Sequence, residues 1–363
     1  MTSIMQERLT AVRQKLTEWD IDALLITNAN NYRWLSGFTG SACTLLISDE
    51  QALLGTDFRY WEQAQQQAPD YELVKMGRGE EYATVHDMAA MADAKKIGVE
   101  GNHITVNQFR TLQEKEESLT WVPLDETVEG MRLIKTTAEL EKIRAAATIT
   151  DWAMAQVNQL AKIGMSEKAL AWELEKAMRE RGAEGMAFEV IVASGPNAAL
   201  AHHRPSERRL QAGDSIVVDM GAKLDGYHSD LTRSFHMGTE PDEKFWFVYN
   251  LVLKAQKNAL QNMKAGQKGQ EIDALARDII AEAGHKADFG HSLGHGVGLE
   301  IHENPSLSWI NEKEIPAGCV VTVEPGVYLS GWGGVRIEDL VVLGEDGVEF
   351  LSHCPKNPLV PLS

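Results

Sequence analysis

The chain has 363 residues, which is enough for two domains with substantial hydrophobic cores. Asp and Glu outnumber Lys and Arg by 53 to 35, and the formal net charge of −18 argues against general binding to nucleic acid or to an anionic membrane. A small-molecule or peptide partner is therefore expected.

The cysteines and the N-terminus indicate the cellular compartment. Cys43, Cys319 and Cys354 are widely spaced and form no CxxC pair, which is typical of proteins in a reducing compartment, and we expect buried, unreactive thiols. The first 20 residues carry charges among their apolar positions and contain no continuous apolar segment, so they predict neither a signal peptide nor a membrane anchor. A cytoplasmic protein is expected.

Residues 1–128 are predicted to form a small α/β domain, because short apolar strands alternate with helical stretches. Apolar residues at helical spacing predict a first helix over roughly the first 19 residues. Strands are predicted at 23–27, 43–48, 51–56 and 95–101, and a further helix at 58–67. No obvious catalytic cluster occurs in this domain.

The second domain is predicted to cover 129–363 and to begin with a long amphipathic helix that runs to Gly164. Thr136 and Glu139 have the spacing of a capping box at its start. Further helices are predicted at 167–182, 242–263 and 269–284, and apolar strands at 188–195, 214–221, 226–235, 319–328 and 334–343. This order, in which each helix pair is accompanied by a group of strands, suggests two similar halves.

Two aspartates occur in the stretch "VVDMGAKLDGYHSDLTRSF", residues 217–235. Asp219 lies on an apolar run, and Asp230 follows eleven residues later. Either carboxylate alone could end a strand or cap a turn, and the intervening Asp225-Gly226 pair is a hairpin signal. The pair alone therefore carries little functional information.

The same placement recurs downstream in His295 of "GHGVGLEIHE", Glu324 of "VVTVEPGVY" and Glu338 of "GVRIEDLVVL". Burying four carboxylates together would be costly, because each loses its hydration and repels the others. A pair of divalent cations removes this conflict. A carboxylate-rich set with one imidazole favours Mn²⁺, with Co²⁺, Zn²⁺ or Fe²⁺ as alternatives.

Four blocks, "DMGAKLDGYHSDLTRSF", "GHGVGLEIHE", "TVEPGVY" and "GVRIED", resemble in content and order those of the M24 metallopeptidases, the pita-bread family that includes methionine aminopeptidase, aminopeptidase P and prolidase. Upstream, "NYRWLSGFTGSA", "TDFRYWEQA" and "MRLIKTTAELEKI" resemble the amino domain and linker of bacterial Xaa-Pro peptidases, a domain that methionine aminopeptidases lack. The resemblance implies an α/β (α+β) protein. Its parts would be a catalytic domain of the pita-bread creatinase/aminopeptidase fold and a smaller N-terminal creatinase/prolidase-like α/β domain.

The resemblance also implies the ligands and the reaction. Asp219 would bind one metal ion, Asp230 and Glu338 would bridge both ions, and His295 with Glu324 would hold the other. The expected enzyme is a dinuclear exopeptidase that hydrolyses the Xaa-Pro bond at peptide N-termini through a metal-bridged hydroxide. Glu324 would accept a proton from that hydroxide and pass it to the leaving nitrogen.

Further roles follow from the same resemblance, although a solitary histidine is usually structural. His291 and His302 would bind the carbonyl side and stabilise the tetrahedral intermediate. Arg336 would brace the bridging carboxylates from behind. Tyr227 and Thr232 are additional candidates for this supporting layer.

His202 would line the proline side of the substrate site. Relatives usually have proline before this histidine, whereas this chain has Ala201, so the loop carrying His202 is expected to be less constrained. The neighbouring His203 matches no functional residue and is expected on the surface.

Alternatives to an Xaa-Pro aminopeptidase are an Xaa-Pro dipeptidase (prolidase) and a non-catalytic binding protein on the same fold. Metal-free creatine hydrolysis is disfavoured by the intact ligand set. Prolidases tend to have an arginine after "HExP" that grips the dipeptide carboxylate, whereas this chain has Ser306, which favours the aminopeptidase unless Arg59 or Arg204 substitutes. The expected substrates are peptides with proline at the second position, and a homodimer is expected because relatives are usually dimers.

Overall fold

The computed structural model describes residues 3–115 and 118–361. The chain separates into two compact units, Met1–Arg132 and Leu133–Ser363. The boundary near residue 128 stays a prediction. No helix in the described part of the chain combines the length and apolar character needed to cross a membrane.

The first unit contains one six-stranded sheet, and its strand order is β4-β3-β2-β1-β5-β6. The strands are β1 (Ala23–Ile26), β2 (Thr44–Ser48), β3 (Ala52–Asp57), β4 (Glu72–Met76), β5 (Lys96–Glu100) and β6 (Thr120–Leu124). The helices are α1 (Ile4–Glu18), α2 (Ala29–Ser36), α3 (Trp61–Gln67), α4 (Glu81–Met91) and α5 (Val106–Lys115). Within the sheet β2 runs antiparallel to both neighbours, and the other pairings are parallel.

The four strands predicted in this unit are confirmed as β1, β2, β3 and β5. The two strands that the sequence did not reveal, β4 and β6, lie at the edges of the sheet and are only partly buried. An edge strand needs no continuous apolar run, and for this reason the sequence pattern gave no signal for them.

The second unit has its helices and strands in two groups. The helices are α6 (Thr137–Ala155), α7 (Val157–Leu160), α8 (Glu167–Glu180), α9 (Glu243–Asn262) and α10 (Gly269–Glu282). The strands are β7 (Gly185–Met186), β8 (Ile191–Ser194), β9 (Ser215–Met220), β10 (Ala222–Leu224), β11 (Tyr227–His228), β12 (Leu231–Met237), β13 (Gly294–Gly296), β14 (Glu303–Leu307), β15 (Val320–Val323), β16 (Gly326–Leu329), β17 (Gly333–Arg336), β18 (Asp339–Leu343), β19 (Val348–Phe350) and β20 (Leu359–Val360). The sheets are β11-β10-β7, β20-β12-β9-β8, β14-β13-β15-β18-β19 and β16-β17.

Two hydrophobic cores correspond to the two halves suggested by the order of elements. In one, α6 and α8 contribute Ile149 and Leu174, which belong to the same core as Val218 of β9. In the other, α9 contributes Val252 and packs with Val341 of β18. The three cysteines are free and buried, and burial raises the pKa of the thiols at positions 319 and 354 to about 11.

The first helix of this unit begins as predicted and ends early. Oγ1 of Thr136 accepts from the backbone N–H of Glu139, and the Glu139 carboxylate accepts from the backbone N–H of Thr136, which completes the capping box. The prediction of one helix to Gly164 is wrong. At Gln156 the backbone N–H donates to the carbonyl of Ala153, three residues back, and this tighter turn separates α6 from the short α7.

Candidate active site and metal centre

Asp219 lies near the end of β9, an apolar strand that is buried along its whole length. Antiparallel pairing with β12 places Asp219 directly opposite Thr232. The chain then turns back, and a Cβ atom at Gly221 would lie 2.0 Å from the carbonyl oxygen of Ser229. Glycine permits this close approach, which returns the chain to Asp230 beside the end of β9.

The hairpin between the two aspartates has the turn predicted from its Asp-Gly pair. Asp225 and Gly226 have φ values of 48° and 77°, as a two-residue type I′ turn requires, and Leu224 pairs with Tyr227 across it. The hairpin signal is therefore confirmed.

Three candidate ligands lie where one short strand gives way to the next. Asp230 separates β11 from β12, Glu324 lies between β15 and β16, and Glu338 lies between β17 and β18. Each was predicted within a single longer strand. At Glu324 the break has a clear cause, because the following Pro325 has no N–H to donate to a strand ladder.

The five candidate ligands converge on one region. Asp219, Asp230 and Glu338 are buried, and one carboxylate oxygen from each lies within 4.8 Å of the others. Nε2 of His295, on β13, lies 3.6 Å from Oδ2 of Asp230 and 3.4 Å from Oε1 of Glu324.

The orientation of the His295 ring favours a cation in this cluster. Nδ1 of His295 lies 3.1 Å from the carbonyl oxygen of Gly296, which can only accept, so Nδ1 carries the proton. Burial lowers the pKa of His295 and favours the neutral ring. Nε2 then directs a lone pair toward Asp230 and Glu324, an arrangement that is unfavourable unless a cation lies between them.

The carboxylates show the same need for positive charge. Burial, and then repulsion from neighbouring carboxylates, raises the pKa of Asp230 and of Glu338 well above the usual range. Burial also raises the pKa of Glu324 to about 7, although Arg336 opposes this shift. Oδ1 of Asp219 and Oε1 of Glu338 are buried without a hydrogen-bond partner among the described residues. The donor set therefore fits divalent metal ions.

Arg336 supports the cluster from behind. Its guanidinium donates from Nη2 to Oδ2 of Asp219 at 2.7 Å and from Nε to Oγ1 of Thr232 at 3.1 Å. Thr232 in turn donates from Oγ1 to Oε2 of Glu338 at 2.7 Å. One buried arginine thus orients Asp219 directly and Glu338 through Thr232.

Tyr328, which no sequence motif singled out, links Arg336 to His291. Its hydroxyl accepts from Nη1 of Arg336 at 2.8 Å and lies 2.9 Å from Nε2 of His291. Nδ1 of His291 donates a hydrogen bond to the carbonyl of Ser292. Nε2 is therefore the acceptor, and the hydroxyl of Tyr328 donates a hydrogen bond to it. Burial, followed by the charge of Arg336, lowers the pKa of His291 to about 4. The β16–β17 hairpin places Tyr328 and Arg336 on paired strands.

A cavity of about 360 Å³ opens onto the cluster. The three remaining candidate histidines, His202, His291 and His302, line it. The ring of His302 packs edge-on against that of His295, with 4.3 Å between centroids. Apolar and hydroxyl groups complete the wall, which includes Phe188, Ile191, Ala201, Ser292 and Ser306.

Two neighbouring residues differ from expectation. The hydroxyl of Tyr227 donates to Oε1 of Glu139 at 2.8 Å, so Tyr227 supports the start of α6. His203 was expected on the surface, but its side chain is only 11% exposed and its Nε2 lies 2.9 Å from Oε2 of Glu167. The physical reason is that Glu167 is a fully buried carboxylate, which needs hydrogen-bond donors around it.

Comparisons with known proteins identify the family of each part of the chain. Residues 141–345 match the Metallopeptidase family M24, and residues 8–134 match the Creatinase/Prolidase N-terminal domain. A Xaa-Pro dipeptidase from Pyrococcus furiosus is 36% identical over 98% of this chain and 100% of its own length.

Two solved structures are similar over almost the whole chain. A Xaa-Pro dipeptidase from Bacillus anthracis is 39% identical, with a TM-score of 0.95 over 98% of this chain and 99% of that one. An X-Pro aminopeptidase from Thermotoga maritima is also 39% identical, with a TM-score of 0.89 over 97% and 99%. The predicted fold, an α/β amino domain with a pita-bread catalytic domain, is confirmed. The chain therefore belongs to metallopeptidase family M24 and is a metallo-exopeptidase, and its family membership implies a dinuclear metal site.

Proposed function

We propose that the chain is a Mn²⁺-dependent Xaa-Pro aminopeptidase, which releases the first residue from peptides that have proline at the second position and more than two residues. The observation that carries the proposal is the lining of the cavity at the metal cluster. Among the described residues, Arg336 is the only arginine or lysine in that lining. Its guanidinium is occupied by Asp219, Thr232 and Tyr328, so it has little capacity left for a substrate carboxylate.

The position after "HENP" supports the same choice. Ser306 lines the cavity, and its hydroxyl cannot make the bidentate, charge-assisted contact that a guanidinium makes with a dipeptide carboxylate. Arg204 has an 86% exposed side chain whose Nε lies 3.6 Å from Glu189. Arg59 donates to both carboxylate oxygens of Asp57. Neither arginine is therefore well suited to bind the carboxylate of a dipeptide.

We assign the metal ions to the five converging residues, Asp219, Asp230, His295, Glu324 and Glu338. Four carboxylates and one imidazole suit a hard or borderline ion, and Mn²⁺ fits this set better than softer ions. Two such ions would polarise the scissile carbonyl and lower the pKa of a water molecule toward neutrality.

The chain's own residues supply the proton transfers and the orientation. Glu324 accepts the proton of the attacking water and delivers it to the proline nitrogen as that nitrogen leaves. His302, in the cavity wall beside His295, donates to the carbonyl oxygen as negative charge develops there. Both ring nitrogens of His291 are occupied by Ser292 and Tyr328, so His291 acts first by orienting the Tyr328 hydroxyl, and it reaches substrate only when one of these bonds is exchanged.

His202 completes the site on the proline side. It shares the cavity wall with Phe188 and Ile191, and this apolar neighbourhood suits a pyrrolidine ring.

We also propose a cytoplasmic homodimer. The three free, buried cysteines support a reducing compartment, and light scattering of the purified chain would test the dimer.

The deciding experiment compares Ala-Pro with Ala-Pro-Ala-Ala at equal Mn²⁺ loading and measures kcat/KM for alanine release. The aminopeptidase proposal predicts the higher value for the tetrapeptide. A prolidase is the second candidate, because the relatives from Pyrococcus furiosus and Bacillus anthracis are named Xaa-Pro dipeptidases. Strong cleavage of Ala-Pro with an inert tetrapeptide would establish that candidate instead.

A further inference from the structure

Glu167, the first residue of α8, is a buried carboxylate outside the metal cluster, with a side chain that is 0% exposed. Oε1 accepts from the backbone N–H and the hydroxyl of Ser194, both at 2.7 Å, and from Nδ2 of Asn197 at 3.0 Å. Oε2 accepts from the backbone N–H of Ser206 at 3.0 Å and from its hydroxyl at 2.6 Å. Nε2 of His203 lies 2.9 Å from the same oxygen. The carboxylate is therefore saturated with donors.

These donors come from both sides of His202. Ser194 ends β8 and Asn197 lies in the 3-10 helix Gly195–Ala199, whereas His203 and Ser206 follow His202 in the chain. Thus a single carboxylate joins the two ends of the segment 194–206.

A second anchor holds the same segment from the side of the metal cluster. Nη1 of Arg336 donates to the carbonyl oxygen of Ala201 at 3.0 Å. His202 thus lies between a residue held by Arg336 and a residue, His203, held by Glu167. These contacts restrain a loop that lacks the proline expected at position 201.

We propose that Glu167 is a positioning residue for His202, and that its carboxylate holds the segment 194–206 so that the imidazole faces the proline of the substrate. The assignment rests on the proposed function, because it presumes that His202 contacts a proline-containing peptide. It concerns a side chain that does not line the cavity and reaches the substrate only through the loop.

The charge of Glu167 is essential to this role. Burial raises the pKa of Glu167, but hydrogen bonds from Ser194, Ser206 and His203 outweigh burial and lower the pKa to about 2. An amide of the same shape would place an NH₂ group against N–H and O–H donors and would lose the contacts on one side of the loop. Glu167→Gln is nearly isosteric, but it disrupts the hydrogen bonds by which residue 167 holds the segment 194–206.

The test is a double-mutant cycle with Glu167→Gln, His202→Ala and the combined variant, assayed on Ala-Pro-Ala-Ala at equal Mn²⁺ content. Glu167→Gln should lower kcat/KM on the order of 10-fold, mostly by raising KM. The reason is that the imidazole of His202, which would be displaced, contributes to binding the proline of the substrate. In the His202→Ala background the same substitution should cause almost no further loss of kcat/KM, because the imidazole that Glu167 positions is absent.

Hydrogen–deuterium exchange of the wild type and Glu167→Gln provides a readout that does not depend on activity. Faster exchange confined to 194–206 is expected in the variant. The matched control is Glu139→Gln, a buried carboxylate at the start of α6, which should lower Tm without changing KM or exchange in that segment. Should Glu167→Gln fail to fold, Ser206→Ala removes one donor on the far side of the loop and should give a smaller version of both effects.

Two results would overturn the assignment. One is an equal loss of kcat/KM from Glu167→Gln with and without His202, which would mean that Glu167 acts independently of that imidazole. The other is unchanged exchange of the segment 194–206. A wild-type chain that cleaves neither peptide would instead contradict the proposed function, and the exchange measurement would still decide whether Glu167 holds the loop.

Discussion

Oδ2 of Asp219 accepts a hydrogen bond from Nη2 of Arg336 at 2.7 Å, and both side chains are buried or nearly so. The other oxygen of this carboxylate, Oδ1, is buried without a hydrogen-bond partner among the described residues. One oxygen is therefore fixed by the protein, and the other is available to the metal ion that we propose here. This division explains how a buried aspartate can be both firmly oriented and available as a ligand.

Replacement of Arg336 by lysine should weaken metal binding even though the positive charge remains. A lysine ammonium cannot reach Asp219, Thr232 and Tyr328 together, because it lacks the planar fork of the guanidinium. We expect metal affinity to fall about 10- to 100-fold, measured by competition with a chromophoric chelator. Arg144→Lys, at an arginine paired with Glu349 on the surface, is the control and should leave affinity unchanged. Wild-type affinity in Arg336→Lys would remove the orienting role.

Asp230→Asn should reduce the metal content, because the side chain loses the charge expected to bridge two ions. We expect fewer than two ions per chain by elemental analysis after dialysis, with activity lost in parallel. Asp225→Asn is a suitable control, since asparagine is also favoured before glycine in this turn. Two bound ions and full activity in Asp230→Asn would show that the ligand assignment is wrong.

Glu324→Gln should affect the chemical step more than substrate binding. The amide cannot accept a proton from water, so kcat should fall by about 10²- to 10⁴-fold while KM changes little. Because Glu324 is also a candidate ligand, the comparison requires saturating Mn²⁺ and a measured metal content. A near-normal kcat with both ions bound would exclude Glu324 as the proton carrier.

Ser306→Arg should shift the preference toward dipeptides. A guanidinium at this position in the cavity wall could pair with the free carboxylate of Ala-Pro, a contact the serine cannot make. The ratio of kcat/KM for Ala-Pro to that for Ala-Pro-Ala-Ala should rise on the order of 10- to 100-fold, as expected for a charged hydrogen bond. Ser306→Gln controls for side-chain size and should leave the ratio near the wild-type value. An unchanged ratio in Ser306→Arg would mean that this position does not face the substrate carboxylate.

Glu167 should contribute to stability at neutral pH and lose that contribution in acid. Its pKa is lowered to about 2 in the folded chain, below the ordinary value of 4.5, so the unfolded chain binds more protons between these pH values. The contribution, about 3 kcal/mol, is thus present above pH 4.5 and decreases as the pH falls toward 2. Urea unfolding at pH 6 and pH 3 should show the gap between wild type and Glu167→Gln narrowing at pH 3. A constant gap would contradict the lowered pKa.

Much of the chain could be interpreted from local pattern. The capping box of Thr136 and Glu139 and the turn at Asp225-Gly226 each depend on residues within a few positions, and the structure forms both as predicted. The buried strands were found because burial on both faces demands a continuous apolar run. The chemistry of the candidate ligands was also visible, since grouped carboxylates on apolar strands require a compensating charge.

The tertiary structure alone decided several contacts between distant side chains around this site. Arg336 and Asp219 are 117 positions apart, Tyr328 lies 37 positions from His291, and Glu167 reaches Ser206 across 39. No helical or strand period relates such positions, because these contacts depend on how whole sheets and loops pack. The sequence by itself therefore determined the kinds of groups present and the local elements that carry them. The pairing of Arg336 with Asp219 and the hydrogen bonds of Glu167 to the segment 194–206 depended on packing. A buried polar atom takes whichever partner the folded chain brings within about 3 Å.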